Sequence, residues 1–113
     1  MKIILESLPI ESARYNTVGD WTIDETGTIR ISVHLPSGDG AFLCALHELV
    51  EVWLCQKRGI TQKQVDEFDF AWNEPGEPGD DPTSPYKKEH RFAMLIEHLV
   101  AHELGLTGYG EVR

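Results

Sequence analysis

The chain has no apolar run close to the ~20 residues that a membrane-spanning helix requires. It also has few basic residues, with 10 Lys and Arg against 19 Asp and Glu, which gives a net charge of −9. Its only basic clusters are the pairs Lys57-Arg58 and Lys87-Lys88. That deficit argues against binding nucleic acid through its phosphates and suits a cation better. Cysteine is scarce: Cys44 and Cys55 are the only two. Both fall in one helical stretch, roughly 16 Å apart by helical rise, too far for a disulfide. This fits a reducing compartment. The opening Met1-Lys2-Ile3-Ile4-Leu5-Glu6 is too short an apolar segment for a signal peptide, so a cytoplasmic protein with no membrane partner is expected. Repeats and inter-domain linkers are also missing, so residues 1–113 read as a single domain.

What is present divides into a β-rich N-terminal third and a helical remainder. Lys2–Ser7 reads as a first strand, and Trp21–Asp24 and Thr28–Leu35 as a hairpin closed by Glu25-Thr26-Gly27. Ile29, Ile31 and Val33 alternate with polar residues, so one face of that arm packs and the other looks outward. Pro36-Ser37-Gly38-Asp39-Gly40 breaks the strand, and a long helix follows over Asp39–Arg58, stopped by Gly59. Thr61 caps a short helix over Gln62–Phe70, with Val65, Phe68 and Trp72 facing inward. Residues 73–85 hold too many Pro, Gly and Asp for regular structure and form a long loop of the kind that is often functional. The last helix is expected over Tyr86–Leu104, before Gly105, with an apolar arc of Phe92, Leu95, Ile96, Leu99, Val100 and Leu104. His90, Met94 and Glu97 make a second stripe, and Arg91, His98 and His102 a third. The fold class is therefore α+β, a short antiparallel sheet packed on two long helices and one short one.

Within the apolar stretch from Ala41 to Cys55, His47-Glu48-Leu49-Val50-Glu51 places three ionisable groups on one helical arc. Each uncompensated polar group buried there costs roughly 2–7 kcal/mol, so the three must be paired, ligated or open to a cleft. A divalent metal satisfies them together. The pattern H-E-x-x-E differs from the zinc motif H-E-x-x-H in placing Glu51 at the second ligand position, while Glu48 keeps the position of the general base. A third ligand is then needed from elsewhere, and His90 is the choice, because its face also carries Glu97. Glu97 serves either as an alternative ligand or as a partner that hydrogen-bonds the His47 or His90 ring. Cys44 lies near the same side of its helix, where a small buried hydrophobe is the simpler reading and a thiolate ligand the alternative. His98 and His102 form a rival i, i+4 pair that points away from the His90 face. His34 and Tyr86 are candidates for substrate or transition-state contact, with solvent exposure the plainer reading for His34 and packing the plainer one for Tyr86. Trp53 and Leu54 read as core. Asp80 and Asp81 read as turn caps, with support of His90 or a second cation as a further role.

The run Ala45-Leu46-His47-Glu48-Leu49-Val50-Glu51, together with Gly59-Ile60, Val65-Asp66-Glu67-Phe68-Asp69, Gly79-Asp80-Asp81-Pro82 and Pro85-Tyr86 leading to His90 and Glu97, resembles small phage and prophage proteins of zincin-like, minimal-metallopeptidase type. The resemblance covers roughly residues 17–106. It implies a zincin-like metal-binding domain in which the edge strand, taken as Thr28–Leu35, holds an extended peptide by strand addition. For a phage-encoded chain the compartment would be the host cytoplasm.

These residues predict a zinc-dependent hydrolase, peptidase-like, with a peptide or protein substrate. Zinc would polarise a carbonyl or phosphoryl oxygen and acidify water toward neutrality, and Glu48 would take the proton. Mn2+ and Fe2+ are the alternative metals, since a two-His, one-carboxylate set also suits them. Two other classes compete. Glu48-x-x-Glu51 also matches the first half of the E-x-x-E pattern of all-α, Mg2+-dependent nucleotide pyrophosphatases of the MazG kind, whose second half has no clean counterpart here. The other is a non-catalytic binding module stapled by a structural metal, with Cys44 or Glu97 as fourth ligand.

Overall fold

The computed structural model describes residues 1–106; residues 107–113, part of the 1–113 domain expected from sequence, lie outside the described residues. Asp24 shapes the hairpin: its carboxylate accepts from the backbone N–H groups of Thr26 and Thr28 at 2.9 and 3.1 Å. Gly27 takes φ 83°, a left-handed value that suits glycine best. This turn joins β2 (Gly19–Ile23) to β3 (Ile29–Val33) in antiparallel register, with Trp21 opposite Ile31. Ile29, Ile31 and Val33 are all but fully buried, as their alternation predicts, and Arg30 is exposed.

The expected antiparallel sheet is corrected at its first strand. β1 (Ile3–Ser7) pairs with β3 in parallel, Ile3 opposite Ile29 and Ser7 opposite Val33. The sheet is mixed, in the order β1-β3-β2. β3 is therefore the central strand and not an edge. Hydrophobic alternation reports which face of a strand is buried but carries no strand direction. Residues 8–18 lead from one edge of the sheet to the other, and Arg14 in this connection bridges Asp20 at 2.7 Å and Asp66 at 3.0 Å.

α1 (Asp39–Lys57) lies against the sheet. It ends as glycine at its C-terminus predicts: Gly59 has φ 72°, its N–H reaches Gln56 O, and the N–H of Ile60 reaches Cys55 O at 2.9 Å. Thr61 and Gln64 cap α2 (Gln62–Ala71) reciprocally. α3 (Lys87–Glu103) runs antiparallel to α1, pairing His47 with Glu97, Glu51 with His90 and Arg58 with Glu89. None of the described helices is long and apolar enough to cross a membrane.

The rotation of α3 about its axis reverses a second expectation. The buried stripe is Glu89, His90, Ala93, Glu97 and Ala101. Phe92, Leu95, Leu99 and Leu104, four of the residues of the apolar arc read from sequence, are 46–65% exposed. One helix cannot turn both stripes toward α1, and Ala93 and Ala101 on the polar stripe let the backbones approach closely. Trp53 is likewise 39% exposed rather than core, with the Lys57 ammonium 5.3 Å from its ring centroid. Leu99→Gln should therefore change unfolding free energy by less than about 0.5 kcal/mol, whereas Leu43→Ala should cost about 2–5 kcal/mol. Urea denaturation of the two variants measures both, and a large loss in Leu99→Gln would contradict this packing.

Candidate metal centre

α1 presents His47 and Glu51 one turn apart, and α3 brings His90 across to meet them. His47 Nε2, Glu51 Oε2 and His90 Nδ1 form a nearly equilateral triangle with edges of 3.1, 3.1 and 3.2 Å. All three residues are buried. The other heteroatoms of His47 and Glu51 are held from behind. His47 Nδ1–H donates to Glu97 Oε1 at 2.8 Å, and Trp21 Nε1–H donates to Glu51 Oε1 at 3.0 Å. A carboxylate can only accept, so the contact with Glu97 puts the neutral His47 proton on Nδ1 and turns the Nε2 lone pair toward Glu51.

That geometry is the test of whether a metal fits. Without a cation, a lone pair of His47 faces a carboxylate lone pair at 3.1 Å unless a second proton is taken up. With ligand bonds of about 2.0–2.1 Å and near-tetrahedral angles, zinc spaces its ligand atoms about 3.3 Å apart, close to the observed triangle. The donor set of two imidazoles and one carboxylate is one that zinc accepts, leaving a position open. The residues fit the metal.

Glu48 Oε2 lies 3.9 Å from His47 Nε2, beside the triangle but not part of it. It opens onto a cavity of about 530 Å³ that the three ligand candidates also line. Burial raises its carboxyl above the ordinary range, and the neighbouring charge of Glu51 adds to the rise. Glu51 moves the other way: burial opposes its charge, but its contacts with the His47 and His90 rings hold it well below that range. His90 is also opposed by burial, yet Glu51 and Glu77 push it up to about 10.

The remaining candidates separate clearly. Glu97, 0% exposed, supports His47 rather than joining the triangle. Cys44 is buried with Sγ 3.7 Å from Val18 O and is in neither group of residues placed to hold an ion. His34 does not line this cavity; it is buried at another surface, with Nδ1 2.9 Å from Pro9 O. The expectation that it is solvent-exposed fails. Tyr86 does line the cavity, but its hydroxyl donates to Asp69 Oδ1 at 2.6 Å, so its one proton is committed. His98 and His102 are exposed on the outer side of α3.

Several residues of the site were given no role there from sequence. Trp21 read only as a strand residue, yet it fixes one oxygen of Glu51. Asp69 accepts from Tyr15 at 3.0 Å as well as from Tyr86 and forms part of the cavity wall. Two glycines are closed to any side chain: a Cβ on Gly19 would stand 2.6 Å from Cys44 Sγ and 3.1 Å from Glu48 Cγ, and one on Gly79 would stand 2.5 Å from His90 Cγ. Comparisons with protein-family models, curated proteins and solved structures found no match to this chain.

Gly79→Ala should leave the fold standing but displace the His90 ring; for zinc held at the triangle, that would weaken affinity about 10- to 100-fold, the range seen when support behind a ligand is lost. Competition with a chromophoric chelator measures this, and unchanged affinity would rule out the contact as a constraint on His90. Asp69 gives a pH signature. Burial raises its carboxyl from 3.8 to about 6, although the Tyr86 and Tyr15 hydroxyls pull it partly back. The folded state thus holds this proton more tightly than the unfolded chain. Its contribution to stability is complete below about pH 4 and is lost as pH rises through 6. The difference in unfolding free energy between wild type and Asp69→Asn should change over that window, and parallel pH curves would show that Asp69 does not titrate there.

Proposed function

We propose that the chain is a zinc-dependent hydrolase of zincin-like, minimal-metallopeptidase type, with His47, Glu51 and His90 as ligands and Glu48 as general base. The observation that carries this reading is the triangle of ligand atoms at the cavity, with a further carboxylate beside it. Zinc held there would supply a Lewis acid for a scissile carbonyl and would acidify water toward neutrality. Mn2+ and Fe2+ remain chemically compatible with the same donors.

The chain's own residues divide the work. Glu97 and Trp21 hold His47 and Glu51 in the ligating orientation. Glu48 accepts a proton from the attacking water and returns it to the departing amine, the shuttle that a buried carboxyl near the operating pH performs best. A cation at the triangle would offset both the burial of Glu48 and the charge of Glu51, favouring the ionised form that the base requires.

A peptide is the substrate class that the cavity favours. Among the described residues its lining includes Asp20, Glu48, Glu51, Asp69, Glu74 and Glu77 but neither Lys nor Arg, an unwelcoming surface for a polyphosphate. Val18, Gly19, Asp20 and Trp21 form one wall, and β2 is an edge strand of the sheet, so strand addition by an extended peptide falls to β2 rather than to the central β3. The sheet also separates the molecule from the all-α frame of the pyrophosphatase alternative. Purified protein should contain zinc. His47→Ala and His90→Ala should lose it, whereas Glu48→Gln should keep it and lose peptide hydrolysis by about 10²- to 10⁴-fold. Elemental analysis paired with a peptide-library assay decides the matter; a metal-free wild type purified without chelator would overturn the reading.

A further inference from the structure

His90 has two ring nitrogens, and only Nδ1 belongs to the triangle. Nε2 faces the opposite way, toward the loop before α3. Pro78–Asp80 forms a single 3-10 turn there, which brings Glu77 and Asp80, three residues apart, to the same side. Glu77 Oε2 and Asp80 Oδ1 each stand 3.1 Å from His90 Nε2. Yet Nε2 is buried and makes no hydrogen bond, because neither carboxylate lies close enough to the direction of a ring N–H. His90 as a whole is 6% exposed, so water does not easily supply the missing partner. A buried nitrogen aimed between two carboxylates, 3.1 Å from each but hydrogen-bonded to neither, matches the placing of three ligands around a shared cation.

We propose that Glu77, Asp80 and His90 form a second divalent-cation site, joined to the first through the His90 ring. This rests on the assignment of His90 to the first site for its bridging role, although the second donor set stands on its own contacts. The three ligand atoms lie within 4.8 Å of one another. Two carboxylate oxygens and one imidazole nitrogen suit Zn2+ or Mn2+. Both sites filled at once would require the imidazole to give its remaining ring proton to solvent and to offer one lone pair to each ion. Gly79 closes the arrangement, since its missing side chain lets the turn lie flat against the ring that both sites share.

Equilibrium dialysis against Zn2+ tests this in a His98→Gln/His102→Gln background, which removes the exposed pair able to bind zinc adventitiously. Two zinc ions per chain are expected, falling to one in Glu77→Gln/Asp80→Asn and to one in His47→Ala. The paired changes at 77 and 80 are nearly isosteric, and the Asp80 side chain is 63% exposed, so the fold should persist; Glu77→Gln alone serves as the second variant and should also lose one ion. One zinc in wild type, weakened but not abolished by Glu77→Gln/Asp80→Asn, would overturn the second site, leave the hydrolase centre intact and make the two carboxylates supports for His90. One zinc that survives His47→Ala and disappears in Glu77→Gln/Asp80→Asn would uphold this site and overturn the hydrolase centre. No zinc at all would overturn both.

Discussion

Four ionisable side chains meet in the seam between α1 and α3, and their mutual satisfaction constrains the rest of the molecule. His47, Glu51, His90 and Glu97 are each no more than 6% exposed. A single such charge left unpartnered would cost several kcal/mol, a large share of the stability of a domain this size. The helices must therefore meet at the one rotation that turns all four inward. Ala93 and Ala101 occupy the places where a larger side chain would hold α3 away, and the leucines that a simple amphipathic helix would bury are displaced to its outer face.

The same constraint reaches the sheet. Trp21 on β2 donates to the Glu51 oxygen that the imidazoles leave unused, so the edge strand is tied to the helix seam by a buried hydrogen bond as well as by packing. Gly19, two residues earlier, has no room for a side chain because Cys44 and Glu48 press against it. Glu48 is thus positioned between a backbone wall and the triangle, near the ligand atoms but outside their ring. On the opposite side, the turn at Gly79 presses on His90. Each ligand candidate is fixed from behind by a different element, which gives a small domain a rigid centre.

Much of this was legible in the sequence, and what was missed follows a pattern. The helix ends at Gly59 and Gly105, the Thr61 cap and the β2–β3 hairpin all rest on local chemistry, and all appear where that chemistry places them. His47, Glu51 and His90 were legible because polar residues in an apolar stretch require partners, and the side of the last helix carrying Glu97 indicated where to look. The parallel pairing of β1 was not legible, since direction is set by where residues 8–18 lead and not by alternation. The outward turn of Phe92, Leu95 and Leu99 was missed because hydrophobicity alone ranks that arc first, while the buried polar stripe decides the rotation. Trp21, Asp69 and Tyr15 reach the site from distant parts of the chain, and nothing in their local sequence marks such contacts. The burial of His34, expected to be solvent-exposed, was missed for a related reason: its partner, Pro9, lies in the connection after β1, whose path the sequence did not reveal.

The central claim is that α1 and α3 jointly hold a metal through two imidazoles and one carboxylate, without sulfur. X-ray absorption at the zinc edge of the protein as purified addresses it most directly. A first shell of nitrogen and oxygen only is expected, at about 2.0–2.1 Å, with outer-shell scattering from imidazole rings. A sulfur shell at about 2.3 Å would assign the metal to a cysteine and rule out the two-imidazole, one-carboxylate site.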